Sequence, residues 1–253
     1  MDALILTVIL TSVPLIFAAT GELIAERSGV LNLGLEGMML MGAVTAFAIT
    51  SLLGNPYLGI FAAAGAGALT AAVFTIFTLG LATNQVATGL ALTIFGTGLS
   101  GLVGAPFVGG TIDGLQPVLI PVLSDLPAFG GLLFQLDVLA YSAFLILGLV
   151  AWFLHKTRAG LVLRAVGNNH DSAHALGYSV LHVRCGAVIF GGLMAGLAGA
   201  YLPLVLIPHW SEGMTAGRGW IALALVVFAS WMPSRILIGA FLFGGITIIQ
   251  LVG

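Results

Sequence analysis

Charge is what this chain has least of. Only 6% of its 253 residues are Asp, Glu, Lys or Arg and 60% are hydrophobic, whereas a soluble domain carries about 25% charged residues. That balance excludes an ordinary globular domain and sets the class as a polytopic membrane protein. Lysine occurs once, at Lys156, and no G-x-x-x-x-G-K-[ST] run is present, so the chain cannot hold a nucleotide by a P-loop. The single cysteine, Cys185, can form no internal disulfide and has no metal-ligand spacing. Neither G-x-S-x-G, H-E-x-x-H nor C-x-x-C appears, so hydrolysis and redox chemistry lack their usual parts. A formal net charge of −2 without a basic stripe argues against a nucleic-acid partner.

What is present is a series of apolar runs at about 3–20, 37–53, 57–79, 85–105, 137–154, 185–207, 219–232 and 236–252. They predict an all-α bundle of about eight spans within one transmembrane domain over 1–253. No positive residue precedes the first run, which therefore reads as a retained span. Turn residues fall between runs, among them Gly54-Asn55-Pro56, Pro106, Pro208 and Pro233. Lys156, Arg158, Arg164 and Arg184 all lie in 155–184, whereas the 106–136 loop holds Asp113 and Asp125. By the positive-inside rule the first segment is cytoplasmic and the second external. Counting spans then puts 21–36 and Arg235 inside and Trp210, Glu212 and Arg218 outside, Arg218 being the exception to the bias.

The block GELIAERSGVLNLGLEGMMLMG over 21–42 places Glu22, Glu26, Arg27, Asn32 and Glu36 between apolar runs. A charged group at the centre of a membrane helix costs roughly 2.5 to 3.5 kcal/mol on insertion scales, so such groups sit at an interface, face a cavity or pair. Orientation assigns Glu22, Glu26 and Arg27 to the cytoplasmic interface. Asn32 and Glu36 are four residues apart and share a face if helical, while Gly29, Gly34 and Gly37 predict a broken or re-entrant segment near 21–37. Such backbone is tolerated at membrane depth only where protein or a cavity covers it.

Two further stretches carry signal. GGLMAGLAGA sets Gly192 and Gly196 at G-x-x-x-G spacing, with Ala195 and Gly199 offset by three, a face for close helix packing. The polar segment 155–184 is too long for a turn. Asp171 is placed to cap a short helix over 172–176 and Gly177 to end it, so this loop presents helical turns to the cytoplasm as a docking element. His170, His174 and His182 lack the carboxylate or cysteine partners that would complete a metal site.

At this point the residues carry a resemblance. ERSGVLNLGLEGMMLMG at 26–42, NQVATGLALTIFGTGLSG at 84–101, TRAGLVLRAVGNNHDSAHALGYSV at 157–180 and FGGLMAGLAGAYLPL at 190–204 are similar to the membrane permeases of ABC importers for nucleosides and sugar-like solutes, in the group that includes ribose and branched-chain amino acid permeases. The resemblance implies a non-enzymatic subunit of a multi-pass permease in a bacterial plasma membrane. It implies cytoplasmic ATP-binding subunits, with ATP and Mg on them and no cofactor on this chain, a second permease of different sequence, and an extracytoplasmic solute-binding protein. It also implies a coupling helix in 157–180, with Arg164, Gly167, Asn168, Asp171 and Gly177 at its matching positions, and a further span after 253.

For the pathway, the residue types point to Asn32, Glu36, Asn84, Gln85 and Thr88. Amides donate and accept to a polar neutral solute, and Thr88 follows Asn84 by one helical turn. The alternative for Asn84 and Gln85 is a membrane boundary, and for Glu36 a helix–helix hydrogen bond or gate. An ion-coupled secondary transporter would have only Glu22, Glu26 and Glu36 for its coupling carboxylates, and a passive channel is the other rival class.

Overall fold

The structure is a computed structural model that describes residues 2–118 and 135–252. Its helices are α1 (Asp2–Arg27), α2 (Leu35–Leu53), α3 (Pro56–Thr75), α4 (Gln85–Gly104), α5 (Val138–Lys156), α6 (Arg158–Asn168), α7 (His170–Ala175), α8 (Val180–Tyr201), α9 (Arg218–Phe228) and α10 (Pro233–Val252). α3 runs on as π-helix over Ile76–Gly80, and α8 over Leu202–Leu206. Among the described residues the only bridge between extended segments is the isolated pair Thr111 and His209. Asp125 and much of the predicted 106–136 loop lie outside the described residues.

Seven of these helices are long and apolar enough to cross a membrane. The eighth predicted span, 219–232, is not one. α9 has 11 residues and is about 16 Å long, roughly half of a hydrocarbon core of about 30 Å. It stops at a turn in which Ser230 and Trp231 both take left-handed φ, 51° and 54°, a conformation that crowds the Cβ of an L-residue and ends the helix.

Turn chemistry sets the other boundaries. Asn55 accepts from Tyr57 N–H ahead of Pro56, which starts α3, and Asp137 caps α5 through Ala140 N–H at 2.9 Å. Asp137 also accepts from Tyr201 O–H at 2.9 Å, which ties the start of α5 to the far end of α8.

α8 is the hub and packs along α1, α2 and α3. Lipid gives no hydrophobic drive to such contacts, so they depend on close backbone approach. The glycine face provides it: a methyl added at Gly199 would run into Met39 O and Ala43 N of α2, and one at Gly196 into Ala63 O of α3. The helix ends sort by charge. Arg27, Arg164 and Arg184 meet at one end, with Lys156 and Arg158 at the α5–α6 corner and Arg235 just after the Trp231 turn; we call this the basic end. The seventh cation, Arg218, lies at the inner start of α9, not in an external loop.

Candidate functional site

After Arg27 the chain turns back into the bundle. Segment 28–34 is not helical and climbs the side of α4: Leu31 N–H donates to Gln85 Oε1 at 2.9 Å, and Thr93 Oγ1 donates to Leu33 O at 3.0 Å. α2 therefore begins at half height, where Gly37 lies against Leu92 and Thr93 in the middle of α4. The break is later and shorter than the sequence predicts. α1 stays helical through Glu22 and Glu26, because neither carboxylate interrupts its backbone hydrogen bonds. Asn32 and Glu36 do not share a helical face. Asn32 accepts from Gly34 N–H at 3.1 Å in a turn that mimics backbone, and only Leu35 opens the helix.

Glu22 is also not at an interface. It is fully buried; Oε1 accepts from Asn32 N–H at 3.0 Å, and Oε2 has no hydrogen-bond partner among the described residues. Its bond to Asn32 holds the returning segment against α1.

Glu36 meets a second broken element. From Trp210, packed on Gly104 at the outer end of α4, the chain descends to Thr215, whose Oγ1 donates to Glu36 Oε1. Gly217 N–H donates to the same oxygen at 2.9 Å, and Gly219 N–H to Oε2 at 2.6 Å. α9 has Gly217 at its N-cap, in a left-handed conformation and with no capping side chain of its own. The Glu36 carboxylate supplies that cap from another helix and sits at the positive end of the α9 dipole. Arg218 folds back on its own segment, donating from Nη1 to Met214 O at 3.3 Å and Thr215 O at 3.1 Å. Two helix N-termini thus face each other at half depth, the arrangement by which membrane transporters build solute and ion sites.

At the basic end, Arg27 donates from Nη2 to Trp231 O at 2.8 Å, and Trp231 Nε1 donates to Glu26. Arg184 Nε donates to Ser28 O at 3.1 Å. Gly167 presses its α-carbon on this turn: Gly29, at φ 87°, lies against it, and a methyl at Gly167 would strike Arg27 O. Beyond Gly167 the chain projects as α7. Asn169, not Asp171, caps α7, accepting from Ser172 N–H at 3.0 Å; the helix starts two residues earlier than expected, so Asp171 falls in its first turn and pairs with His170 at 3.4 Å. Gly177, at φ 87°, ends it, with its N–H on His174 O at 2.9 Å. Asn168, Asp171 and Gly177 are exposed, as is Leu176 at 76%. Arg164 is half-buried, with Nε unpartnered among the described residues.

The predicted pathway residues do not converge. Glu36 sits in the junction and Asn32 in the returning segment, while Asn84 caps α4 through Ala87 N–H at 3.0 Å, Gln85 holds Leu31, and Thr88 pairs with Thr83 at 2.8 Å. Sequence reasoning misplaced Glu22 and Arg218 and missed Thr215. Glu22 follows the apolar run without a break and so looked interfacial. For Arg218 the signal was its departure from the charge bias.

Residues 4–252 match the family described as branched-chain amino acid transport system, permease component. A Haloferax volcanii protein provisionally named a glucose ABC transporter permease is 44% identical over 94% of this chain and 73% of its own length. The guanosine ABC transporter permease of Bacillus subtilis is 32% identical over 95% and 79%, and the nucleoside ABC transporter permease of Lactococcus lactis 31% over 100% and 83%. With seven membrane-length helices among the described residues and a half-depth junction between the starts of α2 and α9, this chain is a multi-pass membrane protein and belongs to that permease family.

Proposed function

We propose that the chain forms half of the translocation pathway of an ATP-driven importer for a nucleoside or related sugar-like solute, residues 1–253 acting as one permease domain. Its partners are cytoplasmic ATP-binding subunits, a second permease of different sequence and an extracytoplasmic binding protein that delivers the solute. ATP and Mg act on the ATPase. The names of the relatives, which cover glucose, nucleosides and guanosine, support the solute class.

The observation that carries the coupling role is α7, a six-residue helix capped at both ends and exposed on the basic end. It is rooted by Gly167 on the turn from which 28–34 departs. A push on α7 reaches that turn through backbone contact, and the half-depth junction through seven residues of chain. Arg164, Gly167, Asn168, Asp171 and Gly177 serve this coupling, and Asn32 and Glu36 the pathway side.

Co-purification tests the assignment. The cognate ATPase should be retained by the unaltered chain in detergent and released by Asp171→Arg, whose side chain is 89% exposed and so leaves the fold intact. Retention by that variant overturns the docking role of α7. Uptake into vesicles should follow internal ATP; uptake that follows an ion gradient and ignores ATP overturns the importer reading. Glucose and guanosine offered to the binding protein, with the melting temperature as readout, identify the solute.

A further inference from the structure

A cavity of about 630 Å³ opens at the basic end between the end of α3 and the α7–α8 turn. Its polar lining includes Arg184, His174, Gln85, Tyr178 and Ser179, and among the described residues no Asp or Glu lines it. Asp171, one turn before His174, is engaged with His170.

The cavity is rich in unused donors. Gln85 commits its oxygen to Leu31 N–H, leaving its NH2 without a partner among the described residues. Arg184 commits only Nε, to Ser28 O, so its terminal nitrogens remain. Ser179 makes no cap to α8; its hydroxyl pairs with His182 Nδ1 at 2.5 Å. The first N–H groups of that 22-residue helix, at Val180 and Leu181, belong to residues that line the cavity and have no intrahelical acceptor. A guanidinium, an amide NH2, a phenol, an imidazole and a helix N-terminus on one space match a ligand with several anionic oxygens. The volume lies in the range of small-molecule sites, about 300 to 1,000 Å³, and exceeds what a lone carboxylate would fill.

We infer that this cavity binds a phosphate monoester of a small polar solute, such as a sugar phosphate or a mononucleotide, from the side of the basic end, and that its occupancy slows transport. The second clause rests on the coupling role proposed for α7. The walls come from two stretches of chain, Thr78, Leu79 and Gln85 at the junction of α3 and α4, and His174, Tyr178 and Arg184 from α7 to the start of α8, so a ligand bonded to both Gln85 and His174 holds α7 to the ends of α3 and α4. The reaction class that would make such a ligand is phosphoryl transfer to the imported solute, which makes the site a brake set by the product of import.

Calorimetry on the permease in complex with its ATPase tests the site, with glucose 6-phosphate and guanosine monophosphate as probes against glucose, guanosine and inorganic phosphate. At least one phosphorylated probe should bind about tenfold or more tighter than its unphosphorylated parent, a gap of about 1.4 kcal/mol. His174→Glu should weaken binding by a similar factor, and Leu181→Glu, in the cavity wall but outside α7, should do so with ATPase retention unchanged. Arg184→Gln is the second variant, although it also loses the bond to Ser28. Equal binding of both members of each pair, binding of neither, or binding indifferent to His174→Glu overturns the site. In ATP-loaded vesicles a bound probe trapped on the ATPase side should slow uptake several-fold, and Leu181→Glu should relieve it. Binding without slowing overturns the brake, whereas loss of the ATPase from the unaltered chain is a failure of the coupling assignment alone.

Discussion

The Glu36 junction and the α7 turn both carry polar groups and glycines in an apolar chain, yet they are built in opposite ways. At the junction every oxygen of Glu36 has a donor and the neighbours are backbone, from Gly37 on α4 to Gly219 on α9. At the α7 turn the side chains face solvent, caps are local, and donors around the adjoining cavity are left over. The difference teaches how to read a polar residue in such a protein. One whose bonds are all made within the fold holds the fold, and one with bonds to spare is available to something else.

Substitutions can break that contrast. The largest effect is expected from Gly199→Val, which forces a branched side chain into Met39 O and Ala43 N of α2. Overpacking costs about 1 to 3 kcal/mol where side chains can yield, and backbone cannot, so folded yield in detergent should collapse. Glu36→Gln comes next. It keeps the shape but replaces an acceptor oxygen by an NH2 facing an N–H, losing one or two charge-assisted bonds worth about 1.5 to 3 kcal/mol each. Thermal unfolding in detergent should drop by several degrees, with ATPase retention unchanged below the new transition. Asn169→Ala removes the α7 cap, worth about 1 kcal/mol; hydrogen exchange should rise in 170–177 and stay unchanged in α8. Smallest in stability is Leu176→Ala, at a side chain 76% exposed. It should leave unfolding within about 0.5 kcal/mol of the parent while weakening ATPase retention. A large loss of stability there would mean that α7 is packed, not offered.

The comparison also shows what the sequence could disclose. Apolar runs reported seven membrane-length helices because span length is a local property. The face of Gly192, Gly196 and Gly199 was legible because close packing demands small residues at fixed spacing. Gly177 was legible as a helix end, since its left-handed φ is a local demand. α9 was not. Residues 219–232 are apolar throughout, and only tertiary contact reveals that half of a membrane's thickness is covered there by a re-entering segment. Asn32 and Glu36 were rightly singled out as polar groups at depth, but their partners, Glu22 and Thr215, lie 10 and 179 residues away. The capping of α7 slipped by two residues because Asn169 and Asp171 are both good caps, and backbone geometry chose the first.

The shortness of α9 has a consequence for how the chain must be made. Its first N–H groups find their acceptor on Glu36, about 180 residues earlier, and the segment before it is non-helical backbone at membrane depth, which lipid does not tolerate uncovered. A nascent chain therefore cannot leave α9 in the bilayer as a finished hairpin with α10. α2 and α4 have to be in place first, with their glycine faces already closed, so that a segment synthesised later completes a pocket prepared by earlier ones.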